Sequence, residues 1–111
     1  MTRILIADDH EMMRRGVRSV LESRPDVDVS EAQNGAEAVQ KTKEMNPDLV
    51  ILDVSMPVLN GFSAARQIKE VSPHTRILIF SLHRTDAFIE VAQKIRLYHE
   101  KRGCSELAES R

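Results

Sequence analysis

Residues 48–61 read DLVILDVSMPVLNG. Four apolar residues, Leu49, Val50, Ile51 and Leu52, follow one another without a polar break and stop on a carboxylate, Asp53. An unbroken aliphatic run suits a strand buried on both faces of a parallel sheet, with its last side chain emerging into the next loop. Met56-Pro57 and Asn60-Gly61 punctuate that loop: proline fixes φ, and glycine permits positive φ or a close approach of backbone. Open α/β sheets place their ligands at the carboxyl ends of central strands, so Asp53 stands where a site is expected. Taken alone, it serves equally well as a simple cap of the loop.

Two more runs of the same kind flank it. RILIA at 3–7 ends in Asp8-Asp9, and RILIF at 76–80 ends on Ser81. VDVSEA at 27–32 alternates apolar and polar instead, which suits an edge strand or one with a wet side. Between the first two strands, Met13, Val17, Val20 and Leu21 mark one face of a helix from His10 to about Arg24, with Arg14, Arg15, Arg18 and Glu22 mostly off that face. Asp9 is placed to cap it and Pro25 to end it. A weakly amphipathic helix over 36–45 follows Asn34-Gly35, with Asn34 and Glu37 resembling a capping box, and Asn46-Pro47 stops it. Phe62, Ala65, Ile68 and Val71 give a third helix, closed by Ser72-Pro73. Thr85 caps a fourth, whose apolar face is Phe88, Val91, Ala92 and Ile95. Leu97 to Lys101 takes the place of a fifth strand, although His99 and Glu100 are poor residues for a buried one. Little chain remains after Gly103 for a last helix.

Strand-helix alternation with right-handed crossovers gives a parallel sheet covered on both faces. With the alternating strand at the edge, the expectation is one α/β domain over residues 1–111. It is a flavodoxin-like, doubly wound five-stranded sheet of order 2-1-3-4-5, with an irregular fifth strand and a shortened last helix. Its switch point lies between the first and third strands. Asp8, Asp9, Asp53 and Ser81 then converge on one crevice.

Composition narrows the function. At 111 residues the chain is a single domain. Aromatic residues make up 4% and tryptophan is absent, so the core is aliphatic. The net charge of −1, from 16 basic and 17 acidic residues, argues against a surface that grips nucleic acid. The single cysteine, Cys104, can form no internal disulfide, which fits a reducing compartment. No stretch approaches the ~18 apolar residues of a membrane span, and the start is not a signal peptide. A soluble, cytoplasmic protein without membrane contact is expected. No Gly-rich nucleotide loop occurs, so dinucleotide or ATP binding has no support.

Carboxylates ~4 Å apart repel by roughly 4 kcal/mol at an effective dielectric near 20. Their gathering therefore calls for raised pKa values or a cation. Hard oxygen ligands with open positions suit Mg2+, which accepts phosphate as a co-ligand. An acid beside it is a candidate nucleophile for an aspartyl-phosphate, and donors such as Ser81 and Lys101 can meet the equatorial oxygens.

ADDHEMMRRG at 7–16, LVILDVSMPVLNG at 49–61 and LIFSLH at 78–83 together resemble a response-regulator receiver domain of two-component signalling. The DDH start and the D-V-S-M-P loop resemble the NarL/FixJ group. The resemblance implies Asp53 as phosphoacceptor. It implies Mg2+ held by Asp9 directly and Asp8 through water, together with Asp53 and the backbone carbonyl of Ser55. It gives Ser81 and Lys101 to the phosphoryl group, and Ser81 with Tyr98 to the switch. It implies a sensor histidine kinase or a small acyl phosphate as donor, a phosphorelay role rather than that of a turnover enzyme, and control of transcription through an output domain that these residues lack. Direct DNA binding by this domain is not expected.

The stretch from Ser81 to Lys101 is about two residues shorter than the family pattern, and Glu100 replaces an apolar residue there. This leaves open a homodimer with an exchanged C-terminal segment. Two alternatives stand beside the phosphoacceptor: a receiver-like interaction module that is not phosphorylated, and an aspartyl phosphatase. The phosphatase is disfavoured because Ser55 stands where a second acid is wanted. The histidines, His10 included, read as surface or loop residues.

Overall fold

A computed structural model describes residues 1–54, 56 and 58–80. Strands and helices alternate as β1 (Thr2–Ala7), α1 (Glu11–Leu21), β2 (Val27–Ala32), α2 (Gly35–Met45), β3 (Leu49–Asp53), α3 (Gly61–Val71) and β4 (Arg76–Phe80). All pairings are parallel, in the order β2-β1-β3-β4. This is the flavodoxin-like arrangement, with the alternating strand at the edge as its pattern requires. The helix expected after Thr85, the fifth strand and the last helix lie outside the described residues.

Alternate residues of the central strands feed two cores. Ile4, Ile6, Leu49 and Ile51 face α1 through Val17 and Leu21. Leu5, Ala7, Val50 and Leu52 face α2 and α3 through Ala38, Val39, Ala64 and Ile68. Every residue of β3 is buried. Burying each large aliphatic side chain is worth roughly 1.5–3 kcal/mol, so the two strands that carry the acids are the most firmly anchored in the sheet. Ala7 lies in register with Leu52, so the chain leaves β1 and β3 side by side at Asp8 and Asp53.

Three local expectations are corrected. The N-cap of α1 is His10, without a side-chain cap bond; Asp8 rather than Asp9 takes a local backbone bond, accepting from the His10 N–H at 2.8 Å. Arg14 sits with Val17 and Leu21 on the buried stripe, whereas Val20 is exposed. In α3 the buried stripe is Gly61, Ala64 and Ile68, and Phe62 is 57% exposed. At the start of the helix a glycine takes that face because the backbone of Asp53 and Val54 lies directly against it. The capping of α2 holds: Asn34 Oδ1 accepts from the Glu37 N–H, and Glu37 Oε1 accepts from the Gln33 N–H.

Val58, in the loop after β3, has φ of 70° and is 78% exposed. A β-branched residue in the left-handed region carries on the order of 1–3 kcal/mol of strain, and this one gains little from burial. Asparagine tolerates that region without the unfolded-state entropy that offsets a glycine. Val58→Asn is therefore expected to raise stability by about 1 kcal/mol, seen as a higher urea midpoint at unchanged slope.

Candidate functional site

The site is built from two strand ends. Beyond β1, the Asp8 N–H donates to the Ala32 carbonyl at 3.1 Å, the last rung toward β2. Its side chain is 1% exposed. Oδ1 accepts from the His10 N–H and lies 3.1 Å from His10 Nδ1. Oδ2 is buried and, among the described residues, has no hydrogen-bond partner. Burial pushes the Asp8 carboxyl above the usual range; the His10 backbone N–H pulls it down in part, and the charge of Asp53 pushes it up again. Asp53, ending β3, is 2% exposed. Asp9 is more open and lies 3.2 Å from His10 Nδ1.

Asp8, Asp9, His10 and Asp53 each present a ligand atom, and these atoms lie within 4.8 Å of one another. The hydrogen bond to Asp8, then the charges of Asp9 and Asp8, raise the His10 pKa. The imidazole thus occupies ground that favours positive charge. Crowded hard oxygens, two of them on buried side chains, and a desolvated oxygen without a donor fit a small divalent cation such as Mg2+. Asp8, Asp9 and Asp53 are the groups to hold it, and it would supply charge neutralisation for them and for an incoming anion.

The Gly61 N–H donates to the Val54 carbonyl at 3.0 Å. A Cβ on Gly61 would overlap the Asp53 carbonyl oxygen, and one on Gly35 would overlap that of Leu59. The starts of α3 and α2 therefore press directly on the loop that carries the acid.

Of the residues expected to form the site, Asp8, Asp9 and Asp53 come together. Ser55, Ser81, Tyr98 and Lys101 lie outside the described residues. His10, read from the sequence as a surface residue, is exposed and yet reaches both acids. Its position immediately after the acid pair was the available signal, because a ring there can fold back over the loop. Arg14 was also missed, although its spacing with Val17 and Leu21 was visible.

A doubly wound sheet with this acid cluster at its switch point defines a class, the receivers of two-component signalling. Over residues 4–99 the chain matches the response regulator receiver domain family, and it belongs to that family. It is 36% identical over 92 residues to the nitrate/nitrite response regulator protein NarL of Escherichia coli, covering 82% of this chain and 43% of that protein. This likeness supports the NarL-like reading. It is 44% identical over 96 residues to a protein-glutamate methylesterase/protein-glutamine glutaminase of Methanosarcina acetivorans, covering 86% of this chain but 27% of that enzyme. The chain thus spans less than half of either relative. The response regulator domain of Thermotoga maritima CheB superposes with a TM-score of 0.80 at 25% identity, over 96% of this chain and 99% of that one. Receiver domains are in general not enzymes, bind Mg2+ at their acidic pocket and work with sensor histidine kinases.

Proposed function

We propose that this domain is a phosphoacceptor in a phosphorelay, with Asp53 as the acceptor. The observation that supports this best is the convergence of Asp8, Asp9 and Asp53, with the buried Asp8 Oδ2 lacking a donor among the described residues. An Asp53 carboxylate oxygen attacks phosphorus in line. The P–N bond of a kinase phosphohistidine, or the P–O bond of a small acyl phosphate, breaks, and its electron pair leaves with the donor. Bound Mg2+ supplies positive charge that neutralises the site and the phosphoryl oxygens.

Asp8, Asp9 and Asp53 would hold that ion, Asp8 by way of a water, with the Ser55 carbonyl as a further ligand. The Ser81 hydroxyl and the Lys101 ammonium meet the phosphoryl oxygens, and Ser81 with Tyr98 carries the change to a protein-binding surface. These assignments, the single receiver unit over 1–111, a cytoplasmic setting, a homodimer and transcription control through an output domain rest on the family resemblance.

Acetyl phosphate with Mg2+ is expected to add one hydroxylamine-labile phosphoryl group, seen by intact mass, and EDTA is expected to prevent it. No incorporation from acetyl phosphate or phosphoramidate at millimolar Mg2+ overturns the reading.

A further inference from the structure

The α1 stripe contains a guanidinium where a hydrophobic side chain is the usual occupant. Arg14 is 8% exposed. Its Nε donates to Glu31 Oε1 at 2.8 Å, and its Nη1 donates to the Asp8 backbone carbonyl at 2.8 Å. A desolvated guanidinium costs several kcal/mol unless it is paired and hydrogen-bonded, so the geometry at this position is tightly constrained.

The carbonyl it grips is the last before Asp9. The Asp8 N–H still belongs to the sheet, through Ala32; one atom group further on, the carbonyl is held by Arg14. That carbonyl belongs to the peptide plane joining Asp8 to Asp9, so holding it fixes that plane and the position of the Asp9 Cα from which the side chain departs. We infer that Arg14 is a positioning residue for the metal-binding acids: anchored on Glu31 of β2, it clamps the Asp8–Asp9 peptide so that both carboxylates face Asp53. The inference rests on the metal reading above.

The anchor is itself held. Glu31 Oε2 accepts from Arg18 Nη1 at 2.8 Å, and Arg18 Nε donates to Glu22 at 2.8 Å. The Glu31 backbone carbonyl accepts from Lys41 Nζ. Burial pushes the Glu31 carboxyl up, but the bonds from Arg18 and Arg14 outweigh it and hold the group below its usual range, charged at neutral pH. Lysine cannot replace Arg14, because a single ammonium lacks the rigid fork that reaches Glu31 and the Asp8 carbonyl together. Arg18 provides an internal control: it contacts the same carboxylate but has no bond to Asp8.

The test is a Mg2+ titration of the full chain followed by amide NMR, with thermal unfolding in parallel. Outer-sphere partners of metal ligands typically change affinity by about 10–100-fold when replaced. Arg14→Lys is expected to raise the Mg2+ Kd about tenfold, with the largest amide shifts at Asp9 and His10. Its phosphorylation rate from acetyl phosphate is expected to recover to near that of the wild type at saturating Mg2+. Arg18→Ala is expected to lower Tm while leaving the Mg2+ Kd within about twofold. If Arg14→Lys does not fold, Glu31→Gln carries the test, with a severalfold weaker Kd expected. A wild-type Kd in the folded variant, or an equal loss in Arg18→Ala, overturns the inference. A wild-type chain without saturable Mg2+ shifts overturns the metal reading itself, and the inference with it.

Discussion

Asp53→Asn is expected to incorporate no phosphoryl group from acetyl phosphate under conditions in which the wild-type chain is fully modified. An amide oxygen has the size and direction of the carboxylate oxygen but lacks the negative charge that makes it a nucleophile, so the loss is complete rather than graded. The same substitution has a second consequence. Asp53 and Asp8 are both buried, and the charge of Asp53 acts unfavourably on Asp8. Removing one of two neighbouring buried charges relieves repulsion on the order of 1–3 kcal/mol. The metal-free variant is therefore expected to unfold at higher denaturant than the metal-free wild type, and Mg2+ is expected to stabilise it less. Intact mass checks the first outcome, and urea unfolding with EDTA or Mg2+ checks the second. Phosphorylation at the wild-type rate would overturn the assignment of Asp53. Loss of phosphorylation together with lower stability would make the residue a structural one.

The strands were legible because their burial leaves them little choice. Leu49 to Leu52 and Ile4 to Ala7 are apolar on both faces of a sheet covered on both sides, while Val27 to Ala32 alternates at the edge. Order and register then brought Asp8 and Asp53 together, because Ala7 pairs with Leu52. The helices were less legible, since periodicity gives a stripe but not its neighbours. Arg14 reads as a wet residue until Glu31, on a strand 17 positions away, is known to meet it. Phe62 reads as core by its spacing with Ala65 and Ile68, yet Gly61 and Ala64 are the buried residues there, and backbone lies directly against Gly61. The position of His10 over two acids is a tertiary fact that a single histidine in a loop does not announce.

The glycines that open α2 and α3 are expected to tolerate no side chain, although alanine is the better helix former. In a helix interior Gly→Ala gains up to about 1 kcal/mol. At Gly35, however, a Cβ would overlap the Leu59 carbonyl oxygen and lie 2.8 Å from its carbon. At Gly61 it would overlap the Asp53 carbonyl oxygen and lie 3.0 Å from Val54 Cα. These obstacles are backbone, with no flexible end to swing aside. Overpacking of this kind costs roughly 1–3 kcal/mol or more, so strain outweighs propensity at both sites. The two variants should differ in function. Gly35→Ala pushes the loop at Leu59, six residues along the chain from the acid rather than on it, and is expected to lower stability by about 2 kcal/mol with phosphorylation within severalfold of wild type. Gly61→Ala pushes on Asp53 itself, whose carboxylate must face its partners to within about 1 Å to react well. It is expected to lose a similar amount of stability and about 100-fold in phosphorylation rate. Urea unfolding and acetyl phosphate kinetics on the two proteins, measured where both are folded, separate the effects. Equal rates in the two variants would mean that Gly61 serves packing alone and that the acid is seated by β3 without its help.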